Sequence, residues 1–274
     1  MLLADNRISI RERNFPDLLD MALHVIRAYA VPLCVALAAG VVPAMLLNAW
    51  LLAPLARVNP QYGMPTAYVW WMFLLVLWEA PLVTAPVTLY LGQALFTERP
   101  LPGRIVRNIF ASLPQMIWYQ VVVRAFTIGL IITWLFQFIS WAYLSEVILL
   151  ERNRFWRGRR NAMTTSRRTL ILHKGTGNDL FARWITTVAV GVMLLLSIWY
   201  SMIVLRGVLV ADLSWDWWEM SLYTFHYPLA LWLVVGYLTV VRFLAYLDLR
   251  IRREGWEVEL MMRSEAARLT RQLT

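Results

Sequence analysis

Residues 30–55 read AVPLCVALAAGVVPAMLLNAWLLAPL and contain no charged side chain. About 20 predominantly apolar residues in a helix suffice to cross the hydrocarbon core of a bilayer. The stretch therefore predicts a transmembrane helix, and Pro43 near its middle predicts a kink. Small or short polar residues repeat on one face at four-residue spacing, which favours close approach of a second helix. They are Ala36, Gly40, Ala44 and Asn48.

The composition extends this interpretation to the whole chain. Of its 274 residues, 60% are hydrophobic and only 16% are charged, whereas a soluble domain carries about 25% charged residues. One soluble core of this length cannot hide so much apolar surface. The 15 Trp and 11 Tyr residues fit a chain with many helix ends at bilayer interfaces. The sequence predicts an all-α, polytopic integral membrane protein.

The apolar stretches predict about six transmembrane helices. The segment 106–150 is too long for one span, and we interpret it as a hairpin that turns near Arg124 and Gly129. A single helix there would place the Arg-rich 250–274 segment on the opposite side from the N-terminus. The predicted spans are 30–55, 68–95, 106–123, 127–149, 184–206 and 222–247.

The positive charge supports this topology. The formal net charge is +9, and 22 of the 26 Lys and Arg residues fall on the side that holds both termini. Positive loops are retained in the cytoplasm, so we predict a multi-pass protein of the bacterial inner membrane with both termini cytoplasmic. This distribution explains the charge without nucleic acid as a partner. The residues predicted to contact lipid headgroups are Arg157, Arg159, Arg160, Arg167 and Arg168.

Two amphipathic helices are predicted outside the spans. Residues 14–27 carry an apolar stripe that we expect to face the membrane surface. Residues 256–274 form a cytoplasmic tail after the 1–255 transmembrane domain, with an apolar stripe and mixed charges around it. Mixed charge argues against simple adsorption to the membrane, and we predict a surface that docks a protein partner or a second copy of the chain. The stripe residues are Val258, Met262, Ala266, Leu269 and Leu273.

Glu79 is the residue most suggestive of a functional site. It lies about ten residues into the second span, where an ionisable side chain is expensive and commonly functional. Pro81 and Pro86 free backbone carbonyls nearby, as in the broken helices of transporters. The alternative is a neutral Glu that is hydrogen-bonded to a neighbouring helix for packing, and the absence of an obvious second acid in the membrane favours it. We expect Arg124 and Arg242 to extend toward the headgroups.

Chemistry-bearing motifs are otherwise scarce. His24, His173 and His226 are scattered and lack ligand spacing, so no metal is predicted. The single cysteine, Cys34, is interpreted as a small buried hydrophobe. No nucleophile elbow, zinc-protease motif or phosphate-binding loop is present. We predict no cofactor and no enzymatic activity.

The C-terminal end of the last span carries the most specific resemblance. The sequence Tyr246-Leu247-Asp248-Leu249-Arg250-Ile251-Arg252-Arg253-Glu254-Gly255 follows a Pro-rich first span and an N-terminal Phe15-Pro16-Asp17-Leu18-Leu19-Asp20 motif. Together these resemble a loose group of bacterial membrane proteins, which includes the membrane domain that accompanies some glycerophosphodiester phosphodiesterases. The resemblance implies a six-helix membrane domain and no activity, because no catalytic domain is attached.

These observations lead to one predicted function and one alternative. The prediction is a non-enzymatic inner-membrane protein that acts as an accessory or assembly component. The alternative is a small transporter or channel that uses Glu79 in a Pro-kinked span. Homo-oligomerisation stays open, although a transporter of only six helices commonly needs a second half.

Overall fold

The computed structural model describes residues 14–56, 65–95, 97, 100–125, 141–153, 155, 163–173, 177–210 and 222–254. These residues are predominantly helical, and no β-strand occurs among them. The helices are α1 (Phe15–Ala28), α2 (Ala30–Ala56), α3 (Thr66–Val83), α4 (Ala85–Ala94), α5 (Pro102–Met116), α6 (Leu144–Glu146), α7 (Thr165–His173), α8 (Gly177–Val210) and α9 (Tyr227–Glu254). Three π-helical segments adjoin them: Ile117–Val123 continues α5, Val147–Glu151 continues α6, and Leu222–His226 leads into α9.

Four helical stretches in the described part of the chain are long and apolar enough to cross a membrane. They coincide with four of the predicted spans, and together with the helical character of the described residues they support a membrane-embedded protein. Residues 106–123 are helical too, but α5 is amphipathic rather than uniformly apolar. The four stretches are Ala30–Ala56, Thr66–Ala94, Gly177–Leu209 and Leu222–Arg253.

Helix α9 is the centre of the bundle. Helices α1, α2, α3, α4 and α8 all pack against it, and its Trp232, Phe243 and Tyr246 are among the largest fully buried side chains. Helix α8 packs chiefly on α9 and leaves its other faces open. Its exposed residues are apolar, for example Met193 and Leu209, which suits a helix that faces lipid.

Helix α1 differs from the expectation in what its apolar stripe contacts. Leu18, Ala22 and Val25 are buried in a cluster with residues of α9, and the Tyr237 hydroxyl donates a hydrogen bond to the Leu19 carbonyl at 3.0 Å. The prediction that this stripe faces the membrane is therefore wrong. The sequence pattern identifies an apolar face but not which apolar surface covers it, and here α9 covers it.

The small-residue face of α2 is where α3 and α4 approach. A Cβ added at Gly40 would lie 2.0 Å from the backbone oxygen of Val83, and Ala44 is buried. The helix is interrupted between α3 and α4 at Thr84, which lies between Pro81 and Pro86. The Thr84 hydroxyl donates to the Ala80 carbonyl at 2.7 Å, so the side chain helps to satisfy the backbone at the interruption.

Gly40→Ala tests this close approach. The added methyl meets a backbone carbonyl that has no rotamer to escape into, so we expect a loss of about 1–3 kcal/mol in the free energy of unfolding. A lower melting temperature of the purified protein in detergent would show it. Gly103→Ala is the matched control, since a Cβ there meets nothing within 4 Å. An unchanged melting temperature for Gly40→Ala would contradict the packing described.

Candidate functional site

Glu79 is hydrogen-bonded across the interface between α2 and α3. The Asn48 amide donates to Glu79 Oε2 at 2.9 Å, and Asn48 itself is fully buried. Pro81 is buried and Pro86 half-buried, one on each side of the break at Thr84. This geometry matches the packing alternative, in which the carboxyl group joins two helices.

A second set of polar contacts lies along the C-terminal half of α9. We call it the α9 ion-pair network: the contacts of Arg242, Tyr246, Asp248, Arg250 and Arg252 with one another and with residues of α6, its π extension, α7 and α8. Buried ionic groups must be paired and hydrogen-bonded to be tolerated in an apolar surrounding. The network therefore fixes how these helices meet.

Glu151, the last residue of the π segment after α6, is bound from two elements. Arg168 of α7 contacts both carboxylate oxygens, with Nε 2.6 Å from Oε2 and Nη2 2.9 Å from Oε1. The Tyr246 hydroxyl donates to Oε1 at 2.7 Å. Burial alone raises the pKa of Glu151, but the hydrogen bonds from Arg168, Tyr246 and Asn153 outweigh it and hold the pKa below its usual value.

Asp248 forms the next contact of the network. Arg183 of α8 lies 3.2 Å from its carboxylate, and the exposed fractions of the two side chains are only 8% and 4%. Arg252, one turn later on α9, contacts the same carboxylate. Arg183 also lies 3.0 Å from Asp179 and 6.0 Å from the centre of the Phe15 ring. One guanidinium group thus joins α1, α8 and α9.

The pair of Glu146 and Arg242 lies farthest from the C-terminal end of α9 among the contacts of the network. Arg242 Nε donates to Glu146 Oε1 at 2.6 Å, and the Glu146 side chain is completely buried. Arg124 is buried as well, with an exposed fraction of 6%, and it lies within electrostatic range of Arg242. The expectation that Arg124 extends to the headgroups is wrong, because its side chain is buried.

In α5 and its π-helical extension, the polar side chains lie on the buried face, in contact with α6 and α7, and the apolar side chains lie on the exposed face. The Gln120 amide donates to the Ser145 hydroxyl at 3.3 Å, and the Gln115 amide donates to the Thr165 hydroxyl. The exposed residues include Phe110 and Trp118. We call the buried polar face the α5 polar seam: Asn108, Ser112, Gln120 and Arg124.

The π-helical segment explains how one face stays polar over so many turns. Residues spaced by four advance about 40° around an α-helix at each step, so a strict four-residue repeat would rotate away from the interior. The wider turn of Ile117–Val123 counteracts that rotation and brings Gln120 and Arg124 back to the seam. Such π segments occur frequently at functional sites.

The other residues predicted as sites fall into three groups. Arg167 is exposed and remains accessible for headgroup contact, whereas Arg168 is engaged by Glu151. Cys34 is exposed on α2, not buried as predicted. The third group lies outside the described residues: Arg157, Arg159, Arg160, Val258, Met262, Ala266, Leu269 and Leu273.

His173 packs within the same region as the network. Its ring stacks on Tyr143 with 5.7 Å between centroids, and its Nδ1 lies 2.7 Å from the Thr169 carbonyl, to which Nδ1–H donates. Burial lowers the pKa of His173, against the opposing effect of that hydrogen bond. Within the described ranges no three His, Cys, Asp or Glu side chains are grouped to hold a metal ion.

No protein-family model, curated protein or solved structure matches the chain.

His173→Gln tests the buried neutral imidazole. The unfolded chain gains a proton on this residue near pH 6.5, while the lowered pKa keeps the folded state neutral, so folding loses stability as the pH falls below about 6.5. The wild-type melting temperature should drop more between pH 7.5 and pH 5.5 than that of His173→Gln. The exposed His24 provides the control, and His24→Gln should keep the wild-type drop. Equal drops in wild type and His173→Gln would refute the assignment.

Proposed function

We propose that the protein is a non-enzymatic component of the bacterial inner membrane that acts as an accessory or assembly factor through its cytoplasmic side. The proposal includes six spans, both termini in the cytoplasm, and a docking role for the 256–274 tail. It also includes the resemblance to the membrane domain that accompanies some glycerophosphodiester phosphodiesterases, which implies the same architecture.

The directions of α5 and α6 support the six-span hairpin. Along α9, Arg242 contacts Glu146 and Tyr246 contacts Glu151, so residues 146–151 run parallel to α9 and toward its C-terminal side. Helix α5 runs the other way, since Gln115 contacts Thr165 whereas Gln120 contacts Ser145. One element thus leaves the C-terminal side of α9 and another returns to it, as a hairpin requires.

Reporter fusions test this topology. Fusions at Arg57, Gly129, Arg160, Asp212 and Thr274 should report outside, outside, inside, outside and inside, because the loops with most of the arginines are retained in the cytoplasm. Opposite sides for Arg160 and Thr274 would mean an odd number of spans. A cytoplasmic report at Gly129 would reduce the hairpin to a re-entrant segment.

The α9 ion-pair network is the observation that carries the accessory role. Its contacts converge on the last turns of α9, from Arg242 to Arg252, immediately before the segment that leads into the tail. They attach α6, α7 and α8 to that part of α9. A docking segment gains affinity when its base is held in place, because less freedom is lost on binding.

Removal of residues 256–274 tests the docking role. Insertion and melting temperature should remain those of the full chain, while a co-purifying partner or the self-association of the protein is lost. Met262→Lys on the apolar stripe should reproduce the loss, since it places a charge in the buried face of the docked helix.

Ser264→Lys adds the same charge off the stripe and should leave docking intact. If the truncated protein fails to insert or fold, the tail belongs to the core and the docking role is refuted. If Met262→Lys and Ser264→Lys behave alike, the stripe is not the docking face.

The hydrogen bond between Glu79 and Asn48 favours this function over a transporter or channel built on Glu79. Within the described part of the chain, this is the side-chain hydrogen bond that Glu79 makes. A carboxyl group that joins two helices at their interface has a packing role that needs no substrate.

A further inference from the structure

Glu79 lies deep in the membrane region. It stands midway along Thr66–Ala94, a stretch of 29 residues that is long and apolar enough to cross a bilayer. An ionised carboxylate at that depth loses its hydration and needs a cation or several hydrogen-bond donors in exchange. The groups that surround Glu79 therefore decide whether it carries a charge.

The elements that pack against α3 offer no such cation. They are chiefly α2, α4, the π-helical segment Ile117–Val123 and α9, and the first three contain no charged residue. Helix α9 shares with α3 the apolar cluster that holds Trp232. Its first charged residue, Arg242, lies farther along the helix and is bound to Glu146. An ionised Glu79 would have no counter-charge on these elements.

The buried amide of Asn48 indicates which form of the carboxyl group it meets. Asn48 is fully buried, and its Nδ2 donates to Glu79 Oε2 at 2.9 Å. Its carbonyl oxygen, Oδ1, is also buried and has no hydrogen-bond partner among the described residues. Most buried polar side-chain atoms have a partner, and an ionised carboxylate can only accept hydrogen bonds. Oδ1 thus lacks the donor that a protonated carboxyl group supplies.

A protonated Glu79 satisfies both polar atoms of the Asn48 amide. The two atoms share one carbon, as do the two oxygens of the carboxyl group, so the groups can pair through hydrogen bonds from Nδ2–H to Oε2 and from Oε1–H to Oδ1. Rotation of the amide by 180° leads to the same requirement. It would bring Oδ1 to the position 2.9 Å from Oε2, and two oxygens at that separation need a hydrogen between them.

The carboxyl group is open to the apolar side of the bundle. Glu79 is only half-buried, and Leu47 and Leu51, which flank Asn48 on α2, are exposed. The exposed residues of α3 are likewise apolar, for example Leu74. A reagent dissolved in the hydrocarbon can therefore approach the carboxyl group, whereas a charged reagent in water meets the barrier of the apolar layer.

From these observations we propose that Glu79 is a proton-binding site within the membrane, where a neutral carboxylic acid pairs with the Asn48 amide at neutral pH and is open to modification by hydrophobic carbodiimides. In that reaction the acid gives its proton to one carbodiimide nitrogen while a carboxyl oxygen bonds to the central carbon. The acyl group then migrates from this oxygen to the other nitrogen and forms a stable N-acylurea. The whole reagent is added and nothing leaves. The proposal goes beyond the packing role of the hydrogen bond and does not depend on the docking role of the tail.

Labelling with dicyclohexylcarbodiimide tests the modification. Purified full-length protein in detergent at pH 7.5 should gain an N-acylurea that peptide mapping places on Glu79, because the reaction consumes the proton of the acid. Glu79→Gln should lose this adduct. Asp20→Asn, which removes an exposed acid of α1, is the control and should keep it. A charged, water-soluble carbodiimide should leave Glu79 unmodified.

Infrared difference spectroscopy tests the proton itself. The difference between wild type and Glu79→Gln at pH 7.5 should contain the C=O stretching band of a protonated carboxylic acid, which an ionised carboxylate does not have. Asn48→Ala should keep this band and move it to higher frequency, because the carboxyl C=O loses the hydrogen bond from Nδ2. Glu79→Gln should keep the wild-type melting temperature, since its neutral amide forms the same two hydrogen bonds with Asn48.

Three outcomes would overturn the proposal or its parts. A band that appears only on acidification would show that Glu79 is ionised at neutral pH, and wild-type protein without an adduct on Glu79 would contradict the open site. An unchanged band in Asn48→Ala would refute the pairing with Asn48. If Asn48→Ala does not fold, wild type and Glu79→Gln still decide whether the proton is present. The docking experiments on the tail are unaffected by each of these results.

Discussion

The attraction between the buried carboxylate of Glu146 and the guanidinium group of Arg242 governs the arrangement of the helices around α9. Moving either charge into an apolar bundle costs several kcal/mol unless a partner meets it in good geometry. Their 2.6 Å contact therefore fixes the height of α6 against α9. Two further contacts repeat the same constraint about one and two turns farther along α9. Tyr246 binds Glu151, which is also held by Arg168 of α7, and Asp248 binds Arg183 of α8.

A bundle in lipid needs this kind of specificity more than a soluble one does. Lipid tails are as apolar as leucine, so burial of apolar side chains gives little preference for one helix arrangement over another. Close backbone approach, as at Gly40, and interhelical polar contacts supply the preference instead. The two kinds of contact occur in different parts of this protein. Small residues join α2 to α3 and α4, while ion pairs join α6, α7 and α8 to α9.

The sequence predicted the elements well wherever composition alone decides them. Spans at 30–55, 68–95, 184–206 and 222–247 coincide with helices of the structure because a long apolar run permits few other solutions. The prediction was wrong for α1, whose apolar stripe is covered by α9, because a periodic pattern of apolar residues does not specify which surface will cover it. It also failed for Arg124 and Cys34, whose exposure depends on which neighbours surround them.

The polar interior was missed although the sequence carries a signal for it. Asn108, Ser112, Gln120 and Arg124 recur at multiples of four residues, and Met116 completes the series on the same buried face. A repeat of four does not fit an α-helix over four steps, and this mismatch indicates a change in helical pitch. Ser145, the partner of Gln120, and Thr165, the partner of the neighbouring Gln115, are distant in sequence, so no local pattern predicts these contacts.

The π-helical segment Ile117–Val123 also has a consequence for how this chain tolerates change in length. A wide turn accommodates an extra residue that an α-helix of the same rise would not. Loss of a single residue there would let the segment tighten into an α-helix while the residues on either side keep nearly the same phase. Loss of a residue from α5 itself, where no wide turn absorbs it, would instead rotate Arg124 by about 100° around the helix axis and away from the buried face. The π-helical segment therefore keeps two rows of polar side chains on one face, and it is the part of this helix that best tolerates the loss of one residue.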